Sequence, residues 1–226
     1  AVHPTNRVRY CNFLGHRLLQ KVRFVSDNVS IDSIDTENYN NYYDYILDPN
    51  KKSLWKKCIG QEQPIKGFLN PDPVNSLYKL EQNLYNGNQT LKVKHTNTKL
   101  IIPLIFWFCD INKAISNICY NNKTYITVTL ADAEDICSCV DYANDGGKFI
   151  KPTITEMILY TNHVFVSNEI KDYVNNMAGN SLIRVNETKS LILTSPYDSI
   201  SLNEFILPSE ALYVSFRPVE NMEGSE

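Results

Sequence analysis

Lys99-Leu100-Ile101-Ile102-Pro103-Leu104-Ile105-Phe106-Trp107-Phe108-Cys109 holds the longest apolar run of the chain. It is apolar at both odd and even positions, the pattern of a strand buried on both faces, with Pro103 placed at a bulge or an edge. Working outward, Lys123 to Leu130 alternates cleanly, with Thr124, Ile126, Val128 and Leu130 set against Tyr125, Thr127 and Thr129. That is the period of two expected of a half-buried strand. Upstream, Arg17 to Ile31 reads as an extended strand, with Leu18, Val22 and Phe24 on one face and Arg17, Lys21 and Arg23 on the other. Downstream, Thr155 to Val166 holds two extended runs around Thr161-Asn162-His163, and further strand-like runs cover Ser181 to Val185, Ser190 to Thr194 and Ala211 to Phe216.

Helical signals fall between the strands. Tyr42, Tyr43, Ile46 and Leu47 have helical spacing until Asp48-Pro49-Asn50 interrupts them, and Leu54, Trp55 and Cys58 make a second short turn. Residues Gly60 to Pro73 read as a loop, and Ser76 to Tyr85 as a short helix stopped at Asn86-Gly87-Asn88. Ser167 could cap a helix with Ile170, Tyr173, Val174 and Met177 on one face, ending at Gly179. Short strands with helices only in the connections predict an all-β sandwich of jelly-roll or Greek-key type.

Composition narrows the function classes. The chain has 226 residues, of which 43% are hydrophobic and 21% charged, with fourteen Tyr, eight Gly and a net charge of −3. That charge gives no general electrostatic reason to bind nucleic acid or anionic membranes. Leu100 to Cys109 is about half the length needed to cross a bilayer, so no membrane insertion is expected. No signal peptide is visible at Ala1-Val2-His3-Pro4-Thr5, and with no initiator Met the chain reads as a piece of something longer. The six cysteines (Cys11, Cys58, Cys109, Cys119, Cys137 and Cys139) then read as free thiols of a reducing compartment. Sequons at Asn28, Asn88, Asn122 and Asn186 are read as chance triplets of an Asn-rich chain.

The motifs of chemistry are sparse. Asp145-Gly146-Gly147-Lys148 lacks the spacing of a phosphate loop. Cys137-Ser138-Cys139 could join Cys119, Cys109 or His95 around zinc, but a one-residue gap departs from the usual two to four. A loop with two unpaired thiols is the preferred reading. His3, His16, His95 and His163 are scattered and expected at the surface or at strand ends. Asp132, Glu134 and Asp135 cluster just after one strand, as a solvated loop would, rather than facing each other across a glycosidase cleft. Phe106-Trp107-Phe108, with Tyr42, Tyr43 and Trp55, could stack sugars or bases, but core packing is the preferred reading. No catalytic residue, cofactor or metal ligand is assigned, and an enzyme is not expected.

Several segments together resemble the major capsid proteins of nucleocytoplasmic large DNA viruses, best the branch of African swine fever virus and faustoviruses. Arg9-Tyr10-Cys11 through Gly15-His16-Arg17-Leu18-Leu19-Gln20-Lys21-Val22-Arg23-Phe24 is similar to that family's "G-x-x-L…V-x-F/L" strand. Lys57-Cys58-Ile59-Gly60-Gln61-Glu62 resembles the element after its helical insertion. Pro103 to Phe108, with Asn112 to Ile118 and Tyr125 to Leu130, resembles its "P-L-x-F-W-F" block and the strand beyond. Ser181 to Val185 and Ala211 to Pro218 resemble the strands that open its second barrel.

The resemblance implies a viral double jelly roll, two β-sandwiches with short helices in the connections. Three copies would close into a pseudo-hexagonal capsomer of an icosahedral capsid. Residues 1–166 would supply later strands of the first jelly roll, with a helical insertion at about 38–90. Residues 167–179 would be the connecting helix, and 180–226 the incomplete opening of the second jelly roll. The partners implied are two further copies of the chain, neighbouring capsomers, and minor capsid and penton proteins, in a virion shell assembled in host cytoplasm. Two alternatives stay open: a virion-assembly scaffold or minor capsid protein of the same fold, and a carbohydrate-binding jelly-roll module.

Overall fold

The computed structural model describes residues 4–61, 88–110, 123–141, 144, 146–176, 183–193, 199, 201–203, 205 and 207–216. The elements among them are β1 (Arg7–Tyr10), α1 (Leu14–Leu18), β2 (Leu19–Ser26), β3 (Val29–Asp35), α2 (Thr36–Asn41), a π-helical turn (Tyr42–Ile46) and α3 (Pro49–Cys58). A 3₁₀ turn (Trp107–Cys109), β4 (Thr124–Leu130), α4 (Ala133–Ile136), β5 (Cys137–Val140) and α5 (Asn168–Asn176) follow.

A three-stranded antiparallel sheet in the order β3-β2-β4 organises the structure. Its register aligns Val128, Val22 and Ile34 in one row across the sheet, and Ile126, Phe24 and Asp32 in the next apolar row. Val22 and Ile34 are fully buried, whereas Arg23 and Thr127 of the intervening row are exposed, so one face is covered and the other meets solvent. The expected single strand from Arg17 to Ile31 is instead the end of α1 followed by a hairpin. Asp27 and Asn28 both have positive φ, 48° and 65°, the two-residue turn whose twist matches its strands.

The helical insertion covers the buried face. Asp35 caps α2, accepting from Asn38 N at 2.9 Å while Asn38 Oδ1 accepts from Asp35 N at 2.9 Å. This reciprocal pair fixes where β3 ends and the helix begins. Asp48 caps α3 by a single bond, accepting from Asn50 N at 2.9 Å, with Pro49 at the first helical position. Tyr39, Tyr43, Leu47, Trp55 and Ile59 then join Leu19, Val22, Phe24, Ile34, Phe106 and Trp107 in one core.

The stretch from Lys99 to Cys109 does not form the expected doubly buried strand. It runs irregularly, hydrogen-bonds to the end of α3 through Ile101 N and Cys58 O at 2.8 Å, and closes in the 3₁₀ turn. Its apolar residues on both parities pack on a core without a ladder, and Pro103 has no N–H to give one.

Cys137–Val140, expected as a loop, is β5, paired antiparallel with β1 from Arg7↔Val140 to Tyr10↔Cys137. The helix expected from Ser167 is found as α5, with Ser167 Oγ accepting from Ile170 N at 3.5 Å. The described residues of Thr155 to Val166, 183–185, 190–193 and Ala211 to Phe216 belong to no strand, against expectation. They are apolar enough for strands, but among the described residues no backbone pairs with them to complete a ladder. The loop expected after Gly60 and the helix expected over Ser76 to Tyr85 fall mainly or wholly outside the described residues.

Candidate functional site

The residues that could carry chemistry are dispersed. Cys11 and Cys137 meet where β1 leaves β5, with Cys11 N donating to Ile136 O at 2.9 Å. Burial pushes the Cys11 thiol up to about 11 and, helped by Cys11 and Glu134 nearby, the Cys137 thiol up to about 12. Both therefore rest as thiols at neutral pH, which makes them poor nucleophiles. His95 Nε2 lies 2.7 Å from Val8 O, with its ring edge-on to Tyr10, so it is engaged with the strand rather than with a thiol. Cys119 lies outside the described residues. Among the described residues no group of three or more His, Cys, Asp or Glu side chains is gathered for a metal.

The acidic residues after β4 sit on and beside the short helix α4. Glu134 pairs with Lys151 at 2.7 Å with both side chains well exposed, and Asp132 stands at the N-cap. The Lys151 ammonium holds the Glu134 carboxyl below its ordinary range. A solvated pair of this kind contributes little stability and offers no enclosed acid and base.

The aromatic cluster is core. Phe24 lies 6.0 Å from Phe106, 5.5 Å from Trp107 and 4.8 Å from Phe108, ring centre to ring centre. Phe106 and Trp107 are buried, as are Tyr43 and Trp55, so none of these four presents a face on which a sugar or base could stack.

One polar residue, expected at the surface or at a strand end, is instead at the centre. His16 is fully buried, stacked on Tyr39 at 5.2 Å and on Phe13 at 5.5 Å. Its Nε2 accepts from Trp55 Nε1 at 2.8 Å, and its Nδ1 lies 3.2 Å from Asn40 Oδ1. A single His between Gly15 and Arg17 carries no periodic signal that would have placed it there. A second buried polar residue is Asp32, whose Oδ1 accepts from Ser33 N at 2.8 Å and Asn186 N at 2.9 Å. It ties the later chain to the outer strand β3, while its Oδ2 is buried without a partner. Burial raises its carboxyl above the ordinary value despite those donors.

Among the described residues, large apolar side chains late in the chain are exposed. Tyr160, Phe165, Ile192 and Phe216 are 73%, 95%, 79% and 78% exposed. Ile170 and Tyr173, on the apolar stripe of α5, are also exposed. Runs of this kind mark surfaces that another surface covers.

No protein-family model matches the chain, and no curated protein matches it. Among solved structures it is similar to the Faustovirus major capsid protein, at 24% identity and a TM-score of 0.49, over 59% of this chain and 26% of that one. The chain thus spans about a quarter of the length of that protein. A superposition of that extent decides neither fold nor role.

Proposed function

We propose that this chain is an internal portion of a viral major capsid protein, a structural subunit without catalytic function. In this reading it contributes to a double jelly roll that closes as a homotrimeric, pseudo-hexagonal capsomer. The observation that carries the reading is where the family-like segments lie. Arg9 to Phe24, the described part of Lys57 to Glu62, and Pro103 to Phe108 are far apart in sequence yet pack on one another. Phe24 meets all three aromatics of the Phe106-Trp107-Phe108 block. Gly15 N donates to Ile59 O at 2.9 Å, and Phe13 N to Gln61 Oε1 at 2.6 Å.

The mechanism is assembly. The sheet and its helical cover form a rigid block, and the exposed apolar runs beyond β5 take up the strands and faces that complete the sandwiches. Contacts between capsomers, weak singly, add through multivalency. Burial of Phe106, Trp107, Tyr43 and Trp55 removes the platform that a carbohydrate-binding module would use. The test is the native mass in solution of the complete gene product that contains these residues. A stable trimer is expected, and a folded monomer would overturn the proposal.

A further inference from the structure

His16 joins three helices at once. Trp55 of α3 donates its indole N–H to His16 Nε2 at 2.8 Å. An indole nitrogen can only donate, so Nε2 must be the unprotonated nitrogen. The neutral ring then carries its proton on Nδ1, which donates to Asn40 Oδ1 of α2 at 3.2 Å. Thr36 Oγ1, at the start of α2, donates to the backbone oxygen of His16 at 3.2 Å. Phe13 and Tyr39 stack on the ring, and Tyr43 stands edge-on at 6.3 Å.

We propose that His16 is an acid-sensitive latch that holds the helical insertion, residues 36–58, against the sheet only while its imidazole is neutral. Protonation would place a second N–H on Nε2, facing the indole N–H of Trp55. Two donors at 2.8 Å repel, so the α1–α3 contact must open or the proton must stay off.

The groups around the ring define the balance. Asp44 of the π-helical turn favours the cation, and Tyr39 and Tyr43 are the phenols packed against it. Lys52 and Lys56 of α3 lie over the far side of the cluster, 4.9 and 5.9 Å from the Tyr43 ring centre. Arg17 of α1 lines the adjacent cleft with Asn40 and Asp44. Burial prevails over Asp44 and Asn40 and draws the imidazole down to about 4.

The sign follows from linkage. The open state, with an ordinary imidazole near 6.5, binds a proton that the closed state refuses down to about 4. The latch is therefore fully closed above pH 6.5 and weakens about tenfold per pH unit as pH falls through that window.

The test is hydrogen exchange by mass spectrometry on the complete polypeptide from pH 7.5 to 4, corrected for the intrinsic rate at each pH. Peptides from 36–58 should lose protection about tenfold per pH unit below 6.5, while peptides from β2 and β4 hold theirs. His16→Gln, which can accept from Trp55 and donate to Asn40 without titrating, should abolish that slope. Trp55→Phe, which removes the opposing N–H, should make it shallower, and this variant decides the matter if His16→Gln does not fold. A flat profile in the unmodified protein overturns the latch. So does a full slope in either variant.

Discussion

Gly15 has no room for a side chain. A Cβ there would lie 2.9 Å from Ile59 Cβ and 3.1 Å from Ile102 Cγ1, against backbone and branched side chains that have little freedom to move. Gly15→Ala should therefore lower stability by about 1–3 kcal/mol through overpacking, although alanine is the better helix former. Denaturant midpoints would check this; an unchanged or raised midpoint would mean that α1 does not press on Ile59. Asp32 makes the opposite case. An asparagine in its place would keep an acceptor for Ser33 and Asn186 and remove an ionised oxygen that is buried without a partner. Asp32→Asn should raise stability at pH 7 by about 1 kcal/mol, whereas Asp32→Ala should lower it by loosening the Asn186 segment. Because burial raises the Asp32 carboxyl, its ionisation opposes folding, and the gain from Asp32→Asn should shrink as pH falls and the wild-type acid becomes neutral. A gain that grows towards acid pH would contradict this.

At the scale of elements, the hairpin turn is open to the same kind of test. Asp27 and Asn28 both sit in the left-handed region, which Asn-Gly occupies at lower cost. The double change Asp27→Asn with Asn28→Gly should stabilise the hairpin by about 0.5–1 kcal/mol, read from the thermal midpoint. A loss would show that the Asp27 side chain has a role beyond the turn.

The elements also show what could be read in advance. β4 was legible because Thr124 to Leu130 alternates without interruption, and the helical insertion because Tyr42, Tyr43, Ile46 and Leu47, then Leu54, Trp55 and Cys58, fall at helical spacing on either side of Asp48-Pro49-Asn50. The β3 strand was not: its apolar positions change parity between Ile31 and Ile34, where the pairing with β2 shifts register, and the Asp27-Asn28 turn lacks the glycine that usually announces a hairpin. Lys99 to Cys109 misled because apolar residues on both parities report burial, not backbone conformation. β1 and β5 are four residues each, too short for a period to register. His16 shows the same limit in the site, since burial of one polar residue depends on partners 24 and 39 positions away.

For the whole molecule, the described fold divides into a covered sheet and a long apolar remainder. The core residues from Leu19 to Trp107 satisfy one another, whereas Phe165 and its apolar neighbours stay uncovered among the described residues. Charge placed in that remainder should leave the block intact and damage assembly. Phe165→Asp in the complete gene product should reduce the assembled fraction several-fold while the far-ultraviolet spectrum is kept. Trp107→Ala should instead cost about 3–5 kcal/mol and lose the fold with the assembly. Equal assembly of Phe165→Asp and the unmodified protein would remove the surface from the account.

The most direct measurement is a cryo-electron microscopy map of the complete gene product. The account predicts a three-fold, pseudo-hexagonal particle in which residues 155–166 are a paired strand of a sandwich and the Phe24–Trp107 core is preserved. A single-copy particle in which those residues remain exposed and unpaired would contradict it.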